Sequence, residues 1–226
     1  ALHRVRSRLV SRRTATINQI RAFLIEQGIT VRTGAHALRS SLFAILENRK
    51  DEISPRMNDL IIDLSNDWFG LDERIGAITS EIELIGKSEE NCQRLMSVPG
   101  IGPIISTAMV AAIGTGDAFG RGRDFGAWLG LVPRQYSTGG KTVLGRISKR
   151  GSKYLRTLFI QAAHVILMRP KNWQKFSFGP WLTEAATRLH RNKLATALAN
   201  KLARIAWSVL ANQQTFDTNK EEVTAI

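Results

Sequence analysis

Between residues 134 and 156 the chain reads RQYSTGGKTVLGRISKRGSKYLR, with seven Lys or Arg and no acid. A small hydroxyl residue, Ser137, is followed by Thr138, the glycine pair Gly139 and Gly140, and Lys141. That grouping suits nucleophilic attack on a phosphodiester. A serine that displaces one ester oxygen holds the remaining strand as a phosphoserine, so the bond energy is kept for rejoining without ATP. Negative charge that gathers on the phosphoryl oxygens would be stabilised by preorganised cations. Lys141, Arg146, Lys149, Arg150, Lys153 and Arg156 are the available donors. Gly139 and Gly140 carry no Cβ, so the backbone there can approach a phosphate closely. Plainer roles exist for the same residues: a simple turn for the Ser-Thr-Gly-Gly run, and phosphate positioning alone for Lys149 and Arg150.

The elements that must hold this stretch are mainly helical. Gly139 and Gly140 lie between two short β-capable runs, Gln135 to Thr138 and Thr142 to Leu144, which predicts a β-hairpin or tight loop. An amphipathic helix follows, with Leu155, Leu158, Phe159, Ala162 and Ile166 on its buried side and Lys153 and Arg156 exposed in its first turns. Phe125, Trp128 and Leu129 define a short core-facing helix stopped by Gly130 and Pro133. Residues 180–190 and 193–211 read as two closing helices, the last with Leu194, Leu198, Leu202, Ile205 and Leu210 as its apolar face, and residues after Gln213 are expected to fray. Upstream, QRLMSVPGIGPIISTAMVAAIG has a helix-hairpin-helix pattern. Gly100 and Gly102 would allow the turn, Ile101 would plug it, and Ala108, Ala111 and Ala112 would let the helices approach. The turn's N–H groups would then face a phosphate, although an αα-hairpin without any ligand fits the same pattern.

Charge is segregated. Residues 51–90 carry eleven of the nineteen acids against Arg56, Arg74 and Lys87, a local balance of minus eight. In the same segment Met57, Ile61, Leu64, Trp68, Leu71, Ile75, Ile78, Ile82 and Ile85 alternate four and three apart, the seam of a coiled coil. Ser54 and Pro55 have the types that start a helix. Its partner could be residues 2–27, residues 35–49 or another subunit. The expected organisation is therefore a helical linker and coiled-coil region over 1–90, a compact domain over 91–212, and a tail over 213–226.

Bulk properties agree with a nucleic-acid partner. The 226 residues are 43% hydrophobic, enough for a real core, and the net charge is +13, with an isoelectric point near 10.7; such a balance favours polyanions through counterion release. The single Cys92 excludes an internal disulfide and fits a reducing cytosol. No apolar run reaches the 18 or so residues of a spanning helix, so no membrane role is expected. His3, His36, His164 and His190 share no metal-ligand spacing, and no metal site is assigned. The start, ALHRVRSRLVSRRTATINQIRAFL, is Arg-rich and acid-free like a transit peptide, yet it lacks an initiator Met and runs directly into further helical pattern. It reads as the interior of a longer chain.

Three elements in this order, Gly-Leu-Val-Pro at 130–133, Ser-Thr-Gly-Gly-Lys at 137–141 and Gly-Arg-Ile-Ser-Lys-Arg-Gly at 145–151, follow the Pro-Gly-Ile-Gly turn and the heptad segment. Together, over about residues 1–212, they resemble the insertion-sequence transposases related to the Piv DNA invertase, the bacterial family guided by a bridge RNA. That resemblance implies a C-terminal domain that supplies a serine nucleophile, placed at Ser137. Here Thr138 intervenes before the glycine pair, so the hydroxyls of Ser137 and Thr138 are both open as the attacking group. It also implies an N-terminal RuvC-like domain whose acids bind Mg²⁺, with no counterpart in these residues, so that no cofactor is expected on this segment. DNA, guide RNA and a homodimer or homotetramer are the implied partners, in a bacterial cytoplasm, and the Arg run from Arg4 to Arg21 is where guide RNA would meet the chain. The alternative is a helix-hairpin-helix module that binds nucleic acid without chemistry.

Overall fold

The structure, a computed structural model, describes residues 1–217. It is mainly helical, with one two-stranded antiparallel sheet, and divides into two compact units, residues 1–81 and 82–226.

The first unit contains α1 (Leu2–Glu26), α2 (Ala35–Asn48) and most of α3 (Pro55–Ser88). Helix α3 begins where Ser54 and Pro55 predict: the Ser54 hydroxyl accepts the Met57 N–H at 3.3 Å. Its apolar seam finds partners within this chain. Ile61 and Trp68 share a core with Ile17, Ile20 and Leu24 of α1 and Leu38, Leu42 and Leu46 of α2, while Leu71 and Ile75 pack on Leu9. Both candidate segments, 2–27 and 35–49, thus cover α3. The seam is less uniform than its spacing suggests, since Ile85 is 41% exposed. Asp72 ties the three helices together, accepting Arg13 Nη1 at 3.1 Å and Arg39 Nη1 at 2.9 Å. The α1–α2 connection is held by Arg21, whose guanidinium donates to the carbonyls of Val31, Arg32 and Gly34.

The second unit is built on α9 (Arg191–Ala211). Leu194, Leu198 and Leu202 are buried, and Ala195, Ala199, Ala203 and Ala206 alternate with them; small residues at this spacing let neighbouring helices approach closely. Against α9 pack α4 (Glu90–Met96), α6 (Gly122–Trp128), α7 (Lys153–Leu167) and α8 (Gly179–Arg188), while α5 (Pro103–Ile113) packs on α4 and α7. A 3-10 helix at Pro170–Lys175, which the sequence pattern did not reveal, joins α7 to α8. Two expectations fail here. Ala111 and Ala112 are exposed, leaving only Ala108 at a close helix contact. The segment after Gln213 does not simply fray: Phe216 N donates to Ser97 Oγ at 2.8 Å and its ring lies 6.4 Å from Phe178, because an aromatic side chain has a core edge to cover. The remaining tail residues, 218–226, lie outside the described residues.

Among the described residues no helix is long and apolar enough to cross a membrane.

Candidate nucleic-acid interface

The hairpin predicted around the glycine pair forms β1 (Pro133–Thr138) and β2 (Lys141–Ile147). Thr138 pairs with Lys141, so Gly139 and Gly140 alone make the turn. Their φ angles of +52° and +81° are those of a two-residue turn with both central residues left-handed, whose twist matches the flanking strands. Ser137 pairs with Thr142 and Gln135 with Leu144, whereas Pro133 pairs with Ile147. Two steps on β1 therefore face three on β2, a bulge beside Gly145 and Arg146 that raises the ribbon's twist.

Alternation decides which side chains share a face. Gln135, Ser137, Thr142 and Leu144 are on one face; Tyr136, Thr138, Lys141 and Val143 are on the other. The two hydroxyls that the sequence could not separate thus point to opposite sides of the ribbon. Ser137 Oγ is exposed and accepts a hydrogen bond from Gln135 Nε2 at 2.7 Å. An amide donor aimed at that oxygen stabilises charge developing on it.

At its base the ribbon meets a turn that the sequence makes unusually tight. Ser148 N donates to Val132 O at 2.8 Å, and Lys149 N to Gly130 O at 3.1 Å. Lys149 itself has φ of +56° and Gly151 +74°. The segment around Gly130 and the turn around Arg150 lie so close that a Cβ on Gly130 would sit 2.2 Å from Arg150 O, and one on Gly151 only 1.8 Å from Trp128 O. Arg156 completes the join. Expected exposed on α7, it is instead 8% exposed, and its Nη1 donates to Leu129 O at 2.8 Å and Arg150 O at 3.1 Å. Its position on the α7 face that carries Phe159 and Ala163 takes it inward, and two carbonyls without helix partners satisfy it. Arg156 therefore fixes the basic turn from behind.

The other predicted cations stay accessible: Lys141, Lys149, Arg150 and Lys153 are exposed. The Gly100–Gly102 turn is not beside them. Gly100, at φ +81°, packs on Ala162 and Ile166 near the far end of α7, about 13–20 Å along the helix from Lys153 at 1.5 Å per residue. Ile101 is buried, which an αα-hairpin without a ligand would also require. The predicted residues thus fall into two groups, the ribbon with its basic turn and the α4–α5 turn. Of the Arg run in α1, Arg6 donates to Thr79 at 2.8 Å and Arg13 and Arg21 are engaged as described, while Arg4, Arg8 and Arg12 are exposed.

Beside β2 opens a groove of about 1210 Å³ whose opposite wall is α9. Arg146 and Lys149 reach it from the ribbon side; Lys193, Lys201 and Arg204 reach it from α9; among the described residues no carboxylate lines it. Sequence reading missed the α9 cations, treating that helix only as an apolar closing element. The signal was present, since residues 191–211 hold four bases and no acid. Among the described residues no three His, Cys, Asp or Glu side chains gather to hold a metal ion.

Residues 92–177, which hold the α4–α5 turn, the ribbon and the basic turn, match the family described as Transposase IS116/IS110/IS902. The chain is 41% identical over 217 residues to the "Transposase for insertion sequence element IS1111A" of Coxiella burnetii, covering 96% of this chain and 59% of that protein. It is 42% identical over 216 residues to the "Transposase for insertion sequence element IS1328" of Yersinia enterocolitica, covering 96% and 64%. A "Probable family 20 transposase" of Pseudomonas aeruginosa is 41% identical over 214 residues, covering 94% and 63%. The chain thus spans about three fifths of the length of these relatives, and its alignment with them runs through both compact units.

Proposed function

We propose that this chain is the nucleophile-bearing part of a bacterial DNA transposase, in which Ser137 cleaves and rejoins DNA strands under the direction of a guide RNA. The observation that carries the reading is the setting of Ser137: an exposed hydroxyl on a cation-rich, acid-free ribbon, with the Gln135 amide 2.7 Å from its oxygen. In the first step the Ser137 Oγ–P bond forms as a sugar oxygen leaves the same phosphorus, and the serine proton ends, in net balance, on that oxygen. In the second, a sugar hydroxyl of the joining strand displaces the serine. Arg146, Lys149 and Arg150 hold the DNA phosphates along the ribbon and its base, Lys141 does so from the reverse face, and the Gly139–Gly140 turn admits the backbone. The Gly100–Gly102 turn contacts a phosphate farther along the DNA without reading bases.

The transposase names of the relatives support DNA as the substrate. The serine chemistry, guidance by a bridge RNA and assembly into a dimer or tetramer rest on the family resemblance. In this reading a RuvC-like domain outside this chain supplies the Mg²⁺ chemistry.

The test is a denaturation-resistant adduct. Transposase containing this chain, incubated with guide RNA and end-labelled donor DNA, is expected to give a covalent protein–DNA band that Ser137→Ala abolishes and Thr138→Ala retains. Absence of the band in the unsubstituted protein would leave a non-catalytic binding module.

A further inference from the structure

The groove between β2 and α9 has a use that the ribbon alone does not specify. We infer that it seats one DNA strand, with the sugar–phosphate backbone running along α9 toward the ribbon face that carries Ser137. The inference rests on the transposase reading for the identity of the nucleic acid.

Three observations point the same way. The first is chemical: among the described residues five cations and no carboxylate line the groove, together with the amide and hydroxyl side chains of Asn192, Thr196 and Asn200. Those are the side-chain types that contact phosphate oxygens without reading sequence.

The second is their order. Asn192, Thr196, Asn200 and Arg204 recur every four residues on one face of α9, with Lys193 and Lys201 beside them. At 1.5 Å per residue this ladder is about 18 Å long, which matches roughly five nucleotides at 3.4 Å per step of one strand. The far side of α9 is the apolar stripe of Leu194, Leu198 and Leu202, so the polar ladder faces away from the leucine core, with Asn200 also seated against Gly126 of α6.

The third is continuity. Leu144 lines the groove and shares its ribbon face with Thr142 and Ser137, one alternation farther on. A backbone that leaves the groove past Leu144 arrives at the Ser137 hydroxyl after about 7 Å of strand. It does not arrive at Thr138, which is on the reverse face. Trp181, with Lys201 Nζ 4.6 Å from its ring, adds an aromatic edge to the same track.

The test is a salt titration of binding by the 226-residue chain, using fluorescein-labelled 20-nucleotide DNA, single- or double-stranded, and RNA of the same sequence. Lys193→Ala with Arg204→Ala removes two exposed groove cations. The slope of log affinity against log salt is expected to fall by about 1.4 on single strands or about 1.8 on duplex. At 0.1 M salt this is a loss of about 25-fold to 60-fold in affinity for DNA. Lys171→Ala with Lys175→Ala removes the same charge from an exposed site off the groove and is expected to change affinity less than about 3-fold, within nonspecific charge effects. Thr196→Cys should form a disulfide with DNA carrying a thiol on one phosphate, whereas Lys171→Cys should not. Equal losses for the two Ala pairs, a loss confined to RNA, or no cross-link at position 196 would overturn the assignment. None of these readouts requires strand cleavage. A missing serine adduct with an intact salt effect would therefore remove the nucleophile and leave the groove, and the opposite pattern would do the reverse.

Discussion

Replacing Arg156 by Met separates a clamp from a phosphate contact. The guanidinium is 8% exposed and donates from one nitrogen to Leu129 O and Arg150 O. Hydrogen bonds to a charged donor contribute about 1.5–3 kcal/mol each, so losing both removes at least about 3 kcal/mol. Relief from burying the charge offsets part of this, and an unbranched Met fills most of the space. The net loss should be about 2–3 kcal/mol. For a chain of this size each kcal/mol moves the midpoint by about 2–4 °C, which gives a fall in Tm of about 4–12 °C. The assay is thermal unfolding by circular dichroism, run beside the salt titration of DNA binding. Lys149→Ala with Arg150→Ala, both exposed, should show the converse pattern: Tm within about 2 °C of the parent, consistent with a small effect of surface substitutions, and a salt slope lower by about 1.8 on duplex. An Arg156→Met protein with unchanged Tm and a salt slope lower by about 0.9 would refute the clamp and return Arg156 to the DNA surface.

Two further predictions concern the same unit. Gly151→Ala places a Cβ 1.8 Å from Trp128 O at φ +74°; left-handed backbone alone costs about 1–2 kcal/mol and the overlap adds more, so urea denaturation should show a loss above about 3 kcal/mol, whereas a loss below about 1 kcal/mol would show that the two segments separate freely. Cys92 is 1% exposed, and burial pushes its thiol up from the usual range despite a hydrogen bond with Ser106 that acts downward. The folded state therefore holds the neutral thiol as pH rises through the unfolded value of about 8.5. Alkylation by iodoacetamide at pH 8 should be at least about 100-fold slower than in denatured protein; labelling at equal rates would show that the α4 region opens.

The hairpin was legible because its determinants are local. Two glycines between β-capable runs specify a two-residue turn and hence the Ser137–Thr142 register. The start of α3 was legible for the same reason, in the Ser54–Pro55 pair. Arg156 was misplaced because residue type outweighed spacing: positions 156, 159, 163 and 166 form one helical stripe, and three of its four members are apolar. The groove could not be read, because β2 and α9 are some fifty residues apart and nothing in either segment specifies the other. The interlock of Gly130 with Gly151 was hidden likewise. Gly130 read simply as a helix stop, and the distance of its Cα from Arg150 is a tertiary fact.

That interlock has a consequence for how this surface can diversify. Lys149 and Arg150 present their side chains outward, so substitutions there that tolerate the left-handed backbone of Lys149 should change the grip on nucleic acid without moving the turn. The paired glycines are different: each leaves no room for a methyl group against the other strand of the joint, so neither can drift singly, and even a double change meets backbone on both sides. The strength of the grip is therefore adjustable at the turn, while its placement beneath the ribbon is frozen by two atoms that are not there.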